Sequence, residues 1–119
     1  MMRNYSELLI WQKSHELTLK IYAASFSFPK EEIYGLTSQM RRSSASIPTN
    51  IAEGCGRDSN AEMKRFLIIS SGSSSELEYQ LLLVKDLNYI DEYLYQELSL
   101  AVIEIRKMIR AFIKSLPAS

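Results

Sequence analysis

Apolar residues recur every three or four positions along almost the whole chain, a period that predicts helices and leaves no β-type alternation. A first helix is expected over about residues 5–25, where Leu8, Trp11, Thr18 and Tyr22 run beside Ile10, Leu17, Ile21 and Ala24. Asn4 followed by Glu7 resembles a capping box, and Pro29 stops the pattern. A second spans about 35–54, with a stripe of Leu36, Met40, Ser43, Ile47, Ile51 and Gly54, the last reading as a left-handed C-terminal cap. Pro48 falls inside it, and the missing backbone N–H predicts a kink or a loosened turn. Ser59 with Glu62 caps a third helix over about 59–87, whose core stripe is Met63, Phe66, Leu67, Ser70, Ser74, Leu77, Leu81 and Val84. Asp91 caps a fourth over about 91–116, with Leu94, Leu98, Val102, Ile105, Ile109 and Phe112 on its seam. Short connections between long helices force antiparallel neighbours. The expected fold is all-α, one antiparallel up-down-up-down four-helix bundle.

Three features depart from a plain bundle. The run Ser70–Ser75, with Gly72 inside it, forfeits on the order of 3 kcal/mol of helix propensity. Pairing around the second turn places Ser70 opposite Ser43 and Gly72 opposite Arg41, so close backbone approach through small residues is one reading and a serine-lined pocket another. On the flank of the second helix, Gln39, Arg42, Ser46 and Glu53 follow one another at successive turns, with Glu76 within reach across the pair. They are candidates for a polar network between helices or subunits; binding of an anion by Arg41 and Arg42 is the alternative. The third helix, finally, is apolar on two sides. Ile68, Gly72, Tyr79 and Leu83 lie opposite its core stripe, while the second helix has a small patch at Ala45, Pro48 and Ala52. One bundle buries one face of each helix, so these seven residues are the candidate oligomer interface.

Charge and chemistry narrow the function. Fourteen Lys and Arg balance fourteen Asp and Glu, which argues against a protein wrapped in nucleic acid and leaves only local patches. Arg41, Arg42, Arg57, Lys64 and Arg65 are the candidate phosphate contacts within such patches. Cys55 stands alone, so no intramolecular disulfide can form, and His15 is the single histidine. No catalytic residues, metal or cofactor are expected: Glu53, Glu62, Glu76 and Glu78 lack the two Glu-x-x-His pairs of a di-iron site. No apolar run reaches the length of a membrane span, and a bacterial cytoplasmic location is expected.

The residues also resemble a known family. Trp11-Gln12-Lys13, Phe28-Pro29, Tyr34-Gly35-Leu36, Gln39-Met40-Arg41-Arg42, the run Ser46 to Gly54, Arg57, Phe66-Leu67, Gly72-Ser73 and Glu76-Leu77-Glu78 are similar to the S23-like proteins encoded in 23S ribosomal RNA intervening sequences. That resemblance implies a bundle assembling into a ring-like homopentamer without established enzymatic activity. A related branch, the accessory proteins of diversity-generating retroelements, binds nucleic acid and a reverse transcriptase through basic surfaces. Two functions follow as expectations: an oligomeric scaffold or interaction module, or an RNA- or DNA-binding accessory protein.

Overall fold

Helices begin where a side chain can satisfy their unpaired amides, and two starts follow that rule closely. In the computed structural model, which describes residues 3–118, Ser59 Oγ accepts the Glu62 N–H at 3.1 Å and Asp91 Oδ1 accepts the Leu94 N–H at 2.8 Å. They open α3 (Asn60–Asp86) and α4 (Glu92–Ser115), which follow α1 (Leu9–Ser25) and α2 (Leu36–Cys55). No strand occurs among the described residues.

Side-chain pairs give the directions. Ser43 meets Gln80, Ser46 meets Ser73 and Ile47 meets Ser70 across α2 and α3. Between α3 and α4, Glu78 pairs with Arg106 and Lys85 with Glu92, and between α1 and α4, Lys13 pairs with Glu104 and Lys20 with Glu97. In each case one number rises as the other falls, so these neighbours are antiparallel. The bundle is long, 46 by 24 by 20 Å, and buries Leu17, Ile21, Met40, Ile47, Ile51, Leu67, Leu77, Leu81, Leu98, Ile105 and Ile109 along its axis.

Three expectations about local structure change. The first helix does not start at Tyr5. Asn4 Oδ1 accepts the Ser6 N–H, but this closes only a 3-10 turn at Tyr5–Glu7; Leu8 is then extended, and α1 starts at Leu9. Gly54 is not a cap either. The helix runs on through Cys55, and a Cβ at Gly54 would come within 3.2 Å of the Met63 carbonyl and of Phe66 Cβ. This glycine lets α3 approach. The left-handed residue lies elsewhere: Asn88, at φ 63°, ends α3 with its N–H on Lys85 O and the Tyr89 N–H on Val84 O, a Schellman motif. The α2–α3 register also differs, because Ser43 faces Gln80 and Ser70 faces Ile47.

Pro48 is buried within α2, and the helix continues through it. Its ring nitrogen cannot donate to the Ser44 carbonyl four residues back. A neighbouring helix supplies the proton instead. Thr18 Oγ1, buried on α1, lies 2.9 Å from Ser44 O and 3.0 Å from Ser14 O, so one hydroxyl serves both carbonyls.

At one end of the bundle Glu32, in the 3-10 turn Lys30–Glu32, joins two connections. Its Oε1 accepts the Leu36 N–H at 3.2 Å and its Oε2 accepts the Tyr89 hydroxyl at 2.9 Å, while the Tyr89 ring lies 5.6 Å from that of Phe28. The bond to Glu32, with desolvation and carboxylate charge adding to it, raises the Tyr89 phenol above its ordinary pKa.

Two measurements check these links. Thr18→Val keeps the side-chain shape but removes the donor, and should cost about 1–3 kcal/mol in urea unfolding at fixed protein concentration. In a Pro48→Ala background the restored amide satisfies Ser44, so the cost should shrink; strict additivity would refute the substitution of Thr18 for the lost N–H. A raised folded pKa contributes stability that is complete below the ordinary phenol pKa and is lost as pH rises through the folded value. Tyr89→Phe should therefore flatten the alkaline limb of the stability–pH profile.

Candidate functional site

The candidate interface residues fall on two separate surfaces. Ile68, Gly72, Tyr79 and Leu83 share the outer face of α3, and Ile69 and Leu82 extend it. Ile68 and Tyr79 are 56% and 61% exposed, Leu83 is half-buried, and a Cβ at Gly72 would meet nothing within 4 Å. Gly72 is thus no part of the close approach between α2 and α3. Serines make that approach: Ser70 donates to Ile47 O at 2.8 Å, and Ser43 donates to Gln80 Oε1 at 2.6 Å. Ser70, Ser71 and Ser74 are buried, with Ser74 bonded to Ser71 O, so the serine run is filled contact rather than a pocket.

On the other surface, Pro48 is buried, and Ala45 and Ala52 are half-buried beside it. Together they floor a groove of about 470 Å³ between α1 and α2. Its wall is aromatic. Tyr5 meets Trp11 edge-on at 4.9 Å, and the His15 ring stacks on Trp11 at 4.9 Å and 10°. The extended Leu8 produces this wall, because it folds the Tyr5 turn back over the start of α1.

The five proposed network residues do not join within one chain. Ser46 pairs with Ser73 at 2.8 Å and accepts from Asn50, and Glu53 pairs with Arg57 at 3.0 Å, four residues away. Gln39, Arg42 and Glu76 are exposed, and no bond links Arg42 to Glu76. The buried polar partner of α2 is Gln80, which sequence reasoning missed. A signal was present: Gln80 sits three residues after Leu77 and four before Val84, at a core position.

The basic candidates also separate. Arg57 and Arg65 both lie 4.7 Å from the Phe66 ring, at the α2–α3 turn. Lys64 is half-buried on the same turn of α3. Arg41 stands far along α2, donating from Nε to Ser25 Oγ at 2.8 Å beneath the rings of Tyr22 and Phe26, with Arg42 exposed beside it.

Reactive groups do not converge. Burial pushes the Cys55 thiol pKa up, against a smaller opposing pull from the Arg3 guanidinium, and this weakens it as a nucleophile. Among the described residues no three His, Cys, Asp or Glu side chains cluster as metal ligands, and no helix is long and apolar enough to cross a membrane.

These features define an all-α four-helix bundle whose distinctive chemistry lies on the outer faces of α2 and α3. Residues 6–111 match the 23S rRNA-intervening sequence protein family, and the chain belongs to that family. It is similar to the crystal structure of a protein of unknown function from the S23 ribosomal protein family of Bacteroides thetaiotaomicron. The two share 28% identity with a TM-score of 0.82, over 90% of this chain and 100% of that one. No protein of curated function matches the chain.

Cys55 provides a check on the packing at this site. In the native protein it should react with a thiol reagent near pH 8 many times more slowly than after urea unfolding. Equal rates would contradict its burial.

Proposed function

We propose that this protein is a non-enzymatic scaffold that works as a homo-oligomer in the cytoplasm. In it, the outer face of α3 of one copy seats in the α1–α2 groove of the next. The observation that supports this most is the second apolar face of α3, where Ile68, Ile69, Tyr79 and Leu82 face solvent around an open Gly72. Burial of that face is favourable at about 25 cal/mol per Å² before the costs of association. The groove fits an apolar ridge, since its floor is Ala45, Pro48 and Ala52 and its wall carries Trp11. Two different surfaces in contact make a head-to-tail interface, which closes into a ring when the rotation allows. Resemblance to the S23-like proteins favours five copies. Glu76, exposed and without an ion pair among the described residues, is then available to a neighbour.

A second reading, an RNA- or DNA-binding accessory protein, draws on Arg57 and Arg65 flanking Phe66. The neutral overall charge makes such binding weak and steeply salt-dependent, although a ring would repeat the patch.

Light scattering should give a multiple of 13.7 kDa, five being expected. Tyr79→Asp with Leu83→Asp, and separately Ala52→Arg in the groove, should lower that mass while helical circular dichroism persists. A monodisperse monomer at tens of micromolar would overturn the scaffold reading. Tight RNA binding that survives near-physiological salt would favour the second.

A further inference from the structure

A second groove, along the outward face of α2 and sharing Ala45 and Thr49 with the first, holds charge that no carboxylate among the described residues neutralises. It has a volume of about 650 Å³, and among the described residues its only charged lining side chains are Arg41 and Arg42. No carboxylate lines it, and neither arginine has an ion pair among the described residues. Arg41 is also held in place. Its Nε is spent on Ser25 Oγ at 2.8 Å, and Ser25 in turn donates to Tyr22 O at 3.1 Å. The Tyr22 and Phe26 rings lie 5.0 and 5.4 Å from the guanidinium. What remains free is its Nη edge.

A half-buried guanidinium is ordinarily paired, because removing it from water without a counter-charge is costly. Here the fork is oriented before any partner arrives, which is the condition for two-point recognition of an oxyanion. Arg42 brings a second positive charge, and Ser38 and Thr49 bring hydroxyl donors to the same groove. Two guanidiniums match a dianion better than a monoanion. We propose that this groove binds a phosphomonoester dianion on a small molecule, with the phosphate between Arg41 and Arg42 and the organic part against Tyr22 and Ile33. A carboxylate would leave one charge unmatched, and a phosphodiester carries a single charge per phosphate.

The test is calorimetric titration of the protein in its native assembly state with phenyl phosphate, against sodium chloride at equal ionic strength. A parallel arm uses oligouridylate without terminal phosphates, as a source of diesters. Saturable binding of phenyl phosphate at one site per chain is expected. Arg41→Lys keeps the charge but not the fork, and should weaken binding by about tenfold, as should Arg42→Ala. Ser25→Ala, which frees Nε, should weaken it severalfold with helicity unchanged, and Arg110→Ala should have no effect. If Arg41→Lys fails to fold, the exposed Arg42 decides. Absence of saturation, as a neighbour's carboxylate seated in the groove would cause, overturns the assignment. So does binding that ignores Arg42→Ala, or oligouridylate that competes equally per phosphate.

Discussion

The close approach of α2 and α3 is the constraint on which the rest of the bundle depends. A Cβ at Gly54 would press to 3.2 Å on the Met63 carbonyl and on Phe66 Cβ, so the two helices leave their shared turn already in contact. Further along, Ser43, Ser46, Ser70 and Ser73 keep the gap narrow and fill it with hydrogen bonds. A serine-rich run is a poor helix former because its hydroxyls compete for the backbone. Here the hydroxyls find partners across the interface, and the propensity deficit is offset by contact that bulkier residues would prevent.

The same principle of borrowed hydrogen bonds ties α1 to α2. Pro48 leaves the Ser44 carbonyl without its amide, and Thr18 from the facing helix donates to it. At the end of the bundle the Glu32 carboxylate caps α2 and accepts from Tyr89, so two connections distant in sequence share one anion. Each of these links satisfies a polar group that burial would otherwise leave costly. Together they set one register for helices whose apolar stripes alone would tolerate sliding.

Once α2 and α3 are locked, their remaining faces are committed outward. The outer face of α3 keeps Ile68 and Tyr79 in solvent, because Leu67, Leu77 and Leu81 already occupy the core side. The α1 side of α2 becomes an aromatic-walled groove, and Arg41 is clamped under Tyr22 and Phe26.

Local chemistry was written plainly in the sequence. The helical period, the caps at Ser59 and Asp91, and the two apolar sides of α3 follow from residue spacing alone, since each depends on neighbours within a few positions. Gly54 and Asn88 show the limit: Gly54 stays within α2 where α3 packs close against it, and the left-handed turn falls to Asn88 instead. The same limit hid the partners of Gln80 and Thr18. An error of a few residues in interhelical register changes every facing pair, and register is settled by packing volume and donor geometry summed over the whole interface. Sequence determined which faces were apolar, small or charged; only the tertiary structure decided which of them meet, because contact between helices is a property of two surfaces at once.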